Sequence, residues 1–295
     1  MIIPTTERIK YYIGTFDYKY PNFDLLEKIV EDEPIRSDQD YSTLKSTYIQ
    51  DINRLKTYTN KPFWIHVGDR PYLKEPKKLL IKIRDSHNNK SSGIIANLNS
   101  ARHWNYCHIS NQCDCKWIDK KSEPFWRGST TGIDIDNRSY TRADFVKDYY
   151  DVYDVAFSEI HRKRHEHLSI YNKEMMPIYE ILQHKYVICI DGNDKASSLN
   201  WILYSNSVPI MPKPRFYSWL CEPWLKAGVH YVEVKADFSN LVEKIEWCKS
   251  NDKECEEIAN NGKEFIWQNY GSVEKEMHIE KTLVDFVGVS NEASD

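Results

Sequence analysis

The stretch VICIDGNDKASSLNWILYSNSVPI, residues 187–210, constrains the fold more than any other part of the chain. Two apolar runs flank a polar glycine turn and a segment with helical spacing, so it reads as strand, turn, helix and second strand. Such a unit brings phosphate to the amino end of a helix, with Gly192 at the first turn letting the backbone approach closely. The dinucleotide pattern GxGxxG is absent. NAD and FAD are therefore not the ligands to which it points.

The remaining periodicity extends the same reading. Helical spacing occurs over 23–33 and 41–59, and KPFWIHV (61–67) follows as a strand that ends in the turn Gly68-Asp69-Arg70-Pro71. Further strands, or one strand and a short helix, fit KKLLIKI (77–83) and SGIIANL (92–98). An irregular segment, 103–124, closes this half, and the expected domains are 1–122, 123–272 and a C-terminal helix and tail over 273–295. In the second half, PFWRGSTTG reads as a strand entering a Ser/Thr/Gly loop, followed by a long polar helical region from 142 to 183. Strands at 186–191, 207–211 and 229–234, a helix from 196 to 204, two amphipathic helices and a last helix over 273–286 complete the pattern. Strands alternating with helices imply an α/β fold with a parallel sheet covered on both faces.

Composition excludes several classes. The chain of 295 residues is long enough for about two domains. With 41% hydrophobic and 28% charged residues and a net charge of −4, it reads as a globular protein without the basic footprint of a nucleic-acid binder. Glu7, Arg8 and Lys10 interrupt the start before a signal-like apolar region forms, and no apolar run reaches the roughly 18 residues of a membrane span. Seven scattered cysteines do not form a disulfide framework, so the expected location is a reducing cytoplasm. Nine Trp and twenty Tyr are mostly core, although such rings also line sugar-binding surfaces.

Several constellations carry candidate chemistry. CHISNQCDC, with Cys107, Cys113, Cys115 and nearby His103, has zinc-compatible ligands, but its spacing matches no common paired-cysteine pattern. HRKRHEH (161–167) reads as a solvated helix face. The triplets Asp38-Gln39-Asp40 and Asp134-Ile135-Asp136 could present oxygen ligands to a divalent cation, or could be ordinary turns. Asp69 lies just past a strand end, where open α/β sheets place ligands and where turn-forming Asp is also common. Arg127, with the small residues Gly128, Ser129 and Thr130, forms one phosphate-compatible turn; Gly192, Asn193, Asp194, Lys195, Ala196, Ser197 and Ser198 form another. A diphosphate between the two turns explains both.

These motifs resemble glycosyltransferase family 90, which includes protein O-glucosyltransferases, capsule xylosyltransferases and lipopolysaccharide-modifying enzymes. FWRGST (125–130) is similar to the family's arginine-glycine-serine motif, and the spacing from Gly192 to Ser207 fits its turn, helix and strand. VHYVEVKADFSNL (229–241) resembles the block after the donor site, IANNGKEFI (258–266) the helix beyond it, and HVGDRP (66–71) the motif of the catalytic base. The likeness covers 123–270 well and 61–83 weakly.

The resemblance implies a GT-B fold, two Rossmann-like domains facing across a cleft, with the C-terminal helix packing back toward the N-terminal domain. It implies inverting transfer from a UDP-sugar, xylose favoured over glucose, to a glycan or glycolipid, with no obligatory metal or cofactor. Asp69 would be the general base, Arg127 would face the diphosphate, and the turn from Gly192 to Ser198 would bind the leaving UDP. Ser198 stands where the protein O-glucosyltransferases carry an arginine, so Lys195 or Arg215 would supply that charge. The DGND turn is closer to lipopolysaccharide-type and virus-encoded relatives, with the host cytoplasm as location in the viral case. Two alternatives stay open: a metal-dependent transferase using Asp134 and Asp136, and a non-catalytic sugar-nucleotide or glycan-binding protein.

Overall fold

The computed structural model describes residues 1–14, 35–37, 44–69, 78–86, 93–134 and 138–288. The expected helix over 23–33, the triplet of Asp38 and Asp40, Asp136, and the Arg70-Pro71 end of the first turn fall outside these residues. Two compact units account for the chain: Met1 with His103–Pro214 and Pro223–Gln268, and Ile2–Arg102 with Arg215–Glu222 and Asn269–Asp295.

The larger unit is built on five parallel strands in the order Val232–Glu233, Val208–Met211, Tyr186–Ile188, Phe125–Ser129, Asp154–Glu159. Parallel strands are covered on both faces and so need near-continuous apolar sequence. Phe125, Val155, Ala156, Phe157, Tyr186, Val208 and Ile210 are accordingly all fully buried. Each large side chain among them stabilises the fold by about 1.5–3 kcal/mol through burial.

The long helical region expected over 142–183 is corrected here. Its start is right, because the Thr141 hydroxyl accepts from Asp144 N–H and the Asp144 carboxylate accepts from Thr141 N–H, a capping box that begins the helix Arg142–Tyr149. The chain then turns and enters the edge strand Asp154–Glu159, where Phe157 meets Trp126 edge-on at 5.9 Å. Burial of Val-Ala-Phe outweighs the polar residues around it. A 3-10 segment, Lys163–Tyr171, and a single helical turn, Ile178–Ile181, follow.

Residues 103–122, read above as irregular and grouped with the N-terminal region, contain the helix Asn105–Cys113 and cluster with the larger unit. That helix packs on Leu199–Leu203 and Ile178–Ile181. Just beyond it, buried Lys120 bonds Asp114 and the Leu182 carbonyl, while Asp114 also accepts from Asn206 N–H.

The second unit has a three-stranded parallel core, Trp64–Ile65, Leu80–Ile81 and Ile94–Ile95, with Ile35–Arg36 antiparallel at its edge. Phe216–Ser218 pairs antiparallel with Ile83–Asp85. Arg8, on the helix Thr5–Ile13, joins distant segments: its guanidinium donates to the Asn269 carbonyl and both Glu276 oxygens, and Tyr12 stacks on Trp219 at 4.2 Å. No helix among the described residues is long and apolar enough to cross a membrane.

Candidate functional site

Counted along the chain, the five-stranded sheet has the order 2-1-3-4-5, so the crossovers run one way from its first strand and then the other. Open sheets of this kind bind ligands beyond the carboxyl ends of the two strands where the direction reverses. Those strands are Phe125–Ser129 and Tyr186–Ile188, and the segments leaving them are the two glycine turns. The sheet order thus brings together the two turns singled out from sequence.

The turns touch. A β-carbon on Gly132 would lie 2.4 Å from the Gly192 carbonyl oxygen, and Gly132 has φ +85°, a region that disfavours side chains. Gly132 N–H donates to Asn193 Oδ1 at 2.9 Å. Arg142, the first residue of its helix, bridges both sides: Nη1 donates to the Ser129 carbonyl (3.1 Å) and Thr131 Oγ1 (2.9 Å), and Nη2 to the Ile190 carbonyl (2.9 Å). Arg138 Nη1 reaches the Asp191 carbonyl at 3.3 Å. Asp191 Oδ1 accepts from Ala196 N–H at 3.3 Å, which closes the turn over Gly192-Asn193-Asp194-Lys195. Burial pushes the Asp191 carboxyl up to about 6 despite the opposing charges of Arg138 and Arg142.

Other expected residues are placed differently. The helix expected from 196 is only Leu199–Leu203, with Ser198 at its N-cap and no side-chain cap bond. Five residues sum to a small dipole, so an anion placed at this turn would meet the turn's own amides rather than a helix end. Lys195 is buried and its ammonium donates to Asn200 Oδ1 at 2.7 Å. Gly128 and Ser129 complete the Phe125–Ser129 strand.

Arg127 points toward the start of the neighbouring strand. Its Nη2 donates to Asp154 Oδ1 at 2.7 Å and its Nη1 to the Asp154 carbonyl at 3.0 Å. Lys173 joins the same carboxylate at 3.0 Å. Burial alone would raise the Asp154 carboxyl, but these cations hold it below its ordinary value. Arg127, expected to face the diphosphate, is thus engaged by Asp154 at the edge of the sheet. Arg215, the other candidate cation, makes two bonds to buried Asp85 at 2.9 and 2.7 Å.

Asp134 is engaged by Arg164, by His165 Nε2 at 2.9 Å and by Arg162 at 3.5 Å. The Arg164 hydrogen bond chiefly holds its carboxyl low. His165 is buried, with Nδ1 3.3 Å from the buried Thr130 hydroxyl, which also accepts from His161 N–H at 2.8 Å. The reading of 161–167 as a solvated helix face is corrected at this residue: the segment is 3-10, and one imidazole turns inward.

Cys107 is buried against the His103 carbonyl, and burial pushes its thiol up to about 12. Cys113 and Cys115 are half-buried. Among the described residues, no group of three or more His, Cys, Asp or Glu side chains could hold a metal.

Asp69 lies in the second unit, shortly after Trp64–Ile65. Its Oδ1 accepts from the buried Lys82 ammonium at 2.7 Å. His66, which directly follows that strand, is lowered to about 4 by burial and then by Lys82. Sequence reasoning missed Arg142, Arg138 and Asp191. The T-x-x-D box at Thr141–Asp144 was the available signal for Arg142, since it fixes where the helix starts.

The sheet order, with two glycine turns meeting at its reversal point, defines a Rossmann-like α/β protein. The chain belongs to glycosyl transferase family 90, whose model matches residues 100–275. It is 29% identical over 225 residues to O-glucosyltransferase LpsA of Dichelobacter nodosus, covering 76% of this chain and 66% of that protein. It is also 29% identical over 155 residues to protein O-glucosyltransferase 2 of Danio rerio, covering 50% of this chain and 29% of the relative. Uncharacterized protein 027R of Frog virus 3 (isolate Goorha) is 29% identical over 178 residues, 50% of this chain and 18% of the viral protein. The chain thus spans under two thirds of each of these relatives.

Proposed function

We propose that this chain is an inverting glycosyltransferase that takes a UDP-sugar and builds a glycan or glycolipid, without an obligatory metal. The observation that carries the reading is the meeting of the two glycine turns at the reversal point of the parallel sheet. The diphosphate is held by amides of the turns after Ser129 and Asp191, and Arg138 and Arg142 offset its charge. Stabilising charge on a departing diphosphate is work for fixed donors of this kind.

Asp69 acts as general base, removing the acceptor hydroxyl's proton as its oxygen attacks the anomeric carbon. In this reading the second unit serves the acceptor and the larger unit the nucleotide sugar, as in a GT-B enzyme, and the reaction takes place in the cytoplasm. The relatives' names specify glucose, which favours UDP-glucose as donor over the xylose favoured above. The commitment of Asp134 to Arg164 and His165 weighs against a metal-dependent mechanism there.

The test is acceptor-free release of UDP from UDP-glucose, with UDP-xylose in parallel and EDTA in a third arm. Slow UDP release that survives EDTA is expected. Binding without turnover would favour a non-catalytic sugar-nucleotide protein, and loss in EDTA with rescue by manganese would favour the metal mechanism.

A further inference from the structure

Asp191 immediately precedes the turn of the proposed donor site, and its carboxylate closes that turn. It follows the Tyr186–Ile188 strand at the reversal point of the sheet and immediately precedes Gly192. Its Oδ1 is tied to Ala196 N–H, so it cannot swing away without opening the turn. Arg138 and Arg142 approach from the segment after the first glycine turn and from the start of the Arg142–Tyr149 helix. Asp194 lies within the same turn and adds a like charge, buried Lys195 is held on Asn200, and the buried Cys189 thiol lies just past the end of the strand.

Any diphosphate held by these turns brings two negative charges into that setting and draws the charge of both arginines toward itself. A fixed, half-buried carboxylate beside it then has one inexpensive response, which is to take up a proton.

We propose that Asp191 is a specificity-determining residue of the donor site that is protonated in the nucleotide-sugar complex, so that the site binds the diphosphate together with one proton. The inference rests on the reading of this crevice as a UDP-sugar site. In the unliganded protein burial already pushes the carboxyl up to about 6. A further rise of about one to two units on binding, the usual size for a close like charge, fixes the size of the effect. Binding at about pH 7 then takes up roughly 0.4–0.8 proton, and affinity falls by about 7- to 40-fold between about pH 5.5 and 8. A neutral side chain at this position removes the penalty. The consequence for selection is that a dianionic sugar nucleotide is held better as the pH falls, whereas an uncharged glycan gains nothing.

The experiment is calorimetric titration with UDP-glucose at neutral pH in PIPES and in imidazole, whose ionisation enthalpies differ. The diphosphate diester has no proton of its own to exchange in this range, so a buffer-dependent enthalpy reports protons taken up by the protein. Expected is uptake of the stated fraction in the wild type, no uptake in Asp191→Asn, and an Asp191→Asn affinity that is flat with pH and tighter than wild type at about pH 8.

A wild-type enthalpy independent of buffer overturns the inference while leaving the donor reading standing. So does an uptake that persists unchanged in Asp191→Asn. Should the variant not fold, the wild-type titrations in the two buffers decide alone. Absence of UDP-glucose binding in every buffer overturns the donor reading, and the inference with it.

Discussion

Replacing Gly132 by alanine tests the crevice directly, because the structure fixes what the added methyl group meets. With φ at +85°, a β-carbon costs about 1–2 kcal/mol in backbone strain. The same atom would lie 2.4 Å from the oxygen and 2.5 Å from the carbon of the Gly192 carbonyl, backbone that no rotamer change can move. Overpacking of that severity adds about 1–3 kcal/mol. If the turns part to relieve it, the bond from Gly132 N–H to Asn193 is lost as well, for about 1 kcal/mol.

Gly228 supplies the control. It has a similar φ of +72°, but a β-carbon placed there would meet nothing within 4 Å, so Gly228→Ala carries the strain alone. Thermal melting and calorimetry with UDP-glucose should therefore separate the two variants. Gly132→Ala loses at least about 1.4 kcal/mol of binding, a factor of ten, while Gly228→Ala keeps wild-type affinity. The reasoning is refuted if Gly132→Ala melts like Gly228→Ala and binds UDP-glucose as the wild type does.

Further outcomes follow from other parts of the molecule. Asp69→Asn should cut UDP release by about a hundred- to ten-thousandfold with donor affinity near wild type, and turnover within a few-fold of wild type would return Asp69 to a plain turn residue. Arg127→Ala should lower the melting temperature, since it leaves Asp154 short of its main partner, yet change UDP affinity less than threefold; a tenfold loss would place Arg127 on the nucleotide after all. His66 and His230, both lowered to about 4, favour the neutral folded form, so their contribution is complete above about pH 6.5 and is lost as pH falls toward 4. Glu280, buried and raised to about 7, has the opposite sign: its contribution is complete below about pH 4.3 and is lost as pH rises through 7. Glu280→Gln should remove the alkaline decline in a pH series of melting temperatures, and an unchanged decline would exclude Glu280 as its source.

Local sequence carried the two glycine turns and most strands of the larger unit, because small residues next to apolar runs report backbone requirements directly. Long-range burial was less legible. Val155-Ala156-Phe157 looks helical beside its polar neighbours and becomes a strand only because Trp126 offers it an edge-on partner across the sheet. The Arg127 pairing was illegible for a related reason, since a strand residue's side chain is directed by its neighbours, and Asp154 lies beside it only after the strands align. Arg142 is the converse case. Nothing in its immediate sequence suggests three acceptors from two turns, and those acceptors are carbonyls and a hydroxyl assembled by sheet order.

The joining of Arg8 to Asn269 and Glu276 bears on how the protein is made. Synthesis delivers the chain from its amino end, and domains generally fold as units once their residues have emerged. The second unit draws on three separate segments, the last beginning at Asn269, whereas almost all of the larger unit lies between His103 and Gln268. On the ribosome the amino-terminal segment of the second unit thus emerges before the larger unit, and its unit is completed after it. Arg8 and Tyr12 wait through about 250 further residues, roughly 12 to 50 seconds at ordinary elongation rates, before Trp219, Tyr270 and Glu276 can enclose them. During that interval a helix whose partners are missing is exposed to chaperones, and a nascent chain halted before Asn269 should protect the larger unit from protease while leaving Thr5–Ile13 open to cleavage.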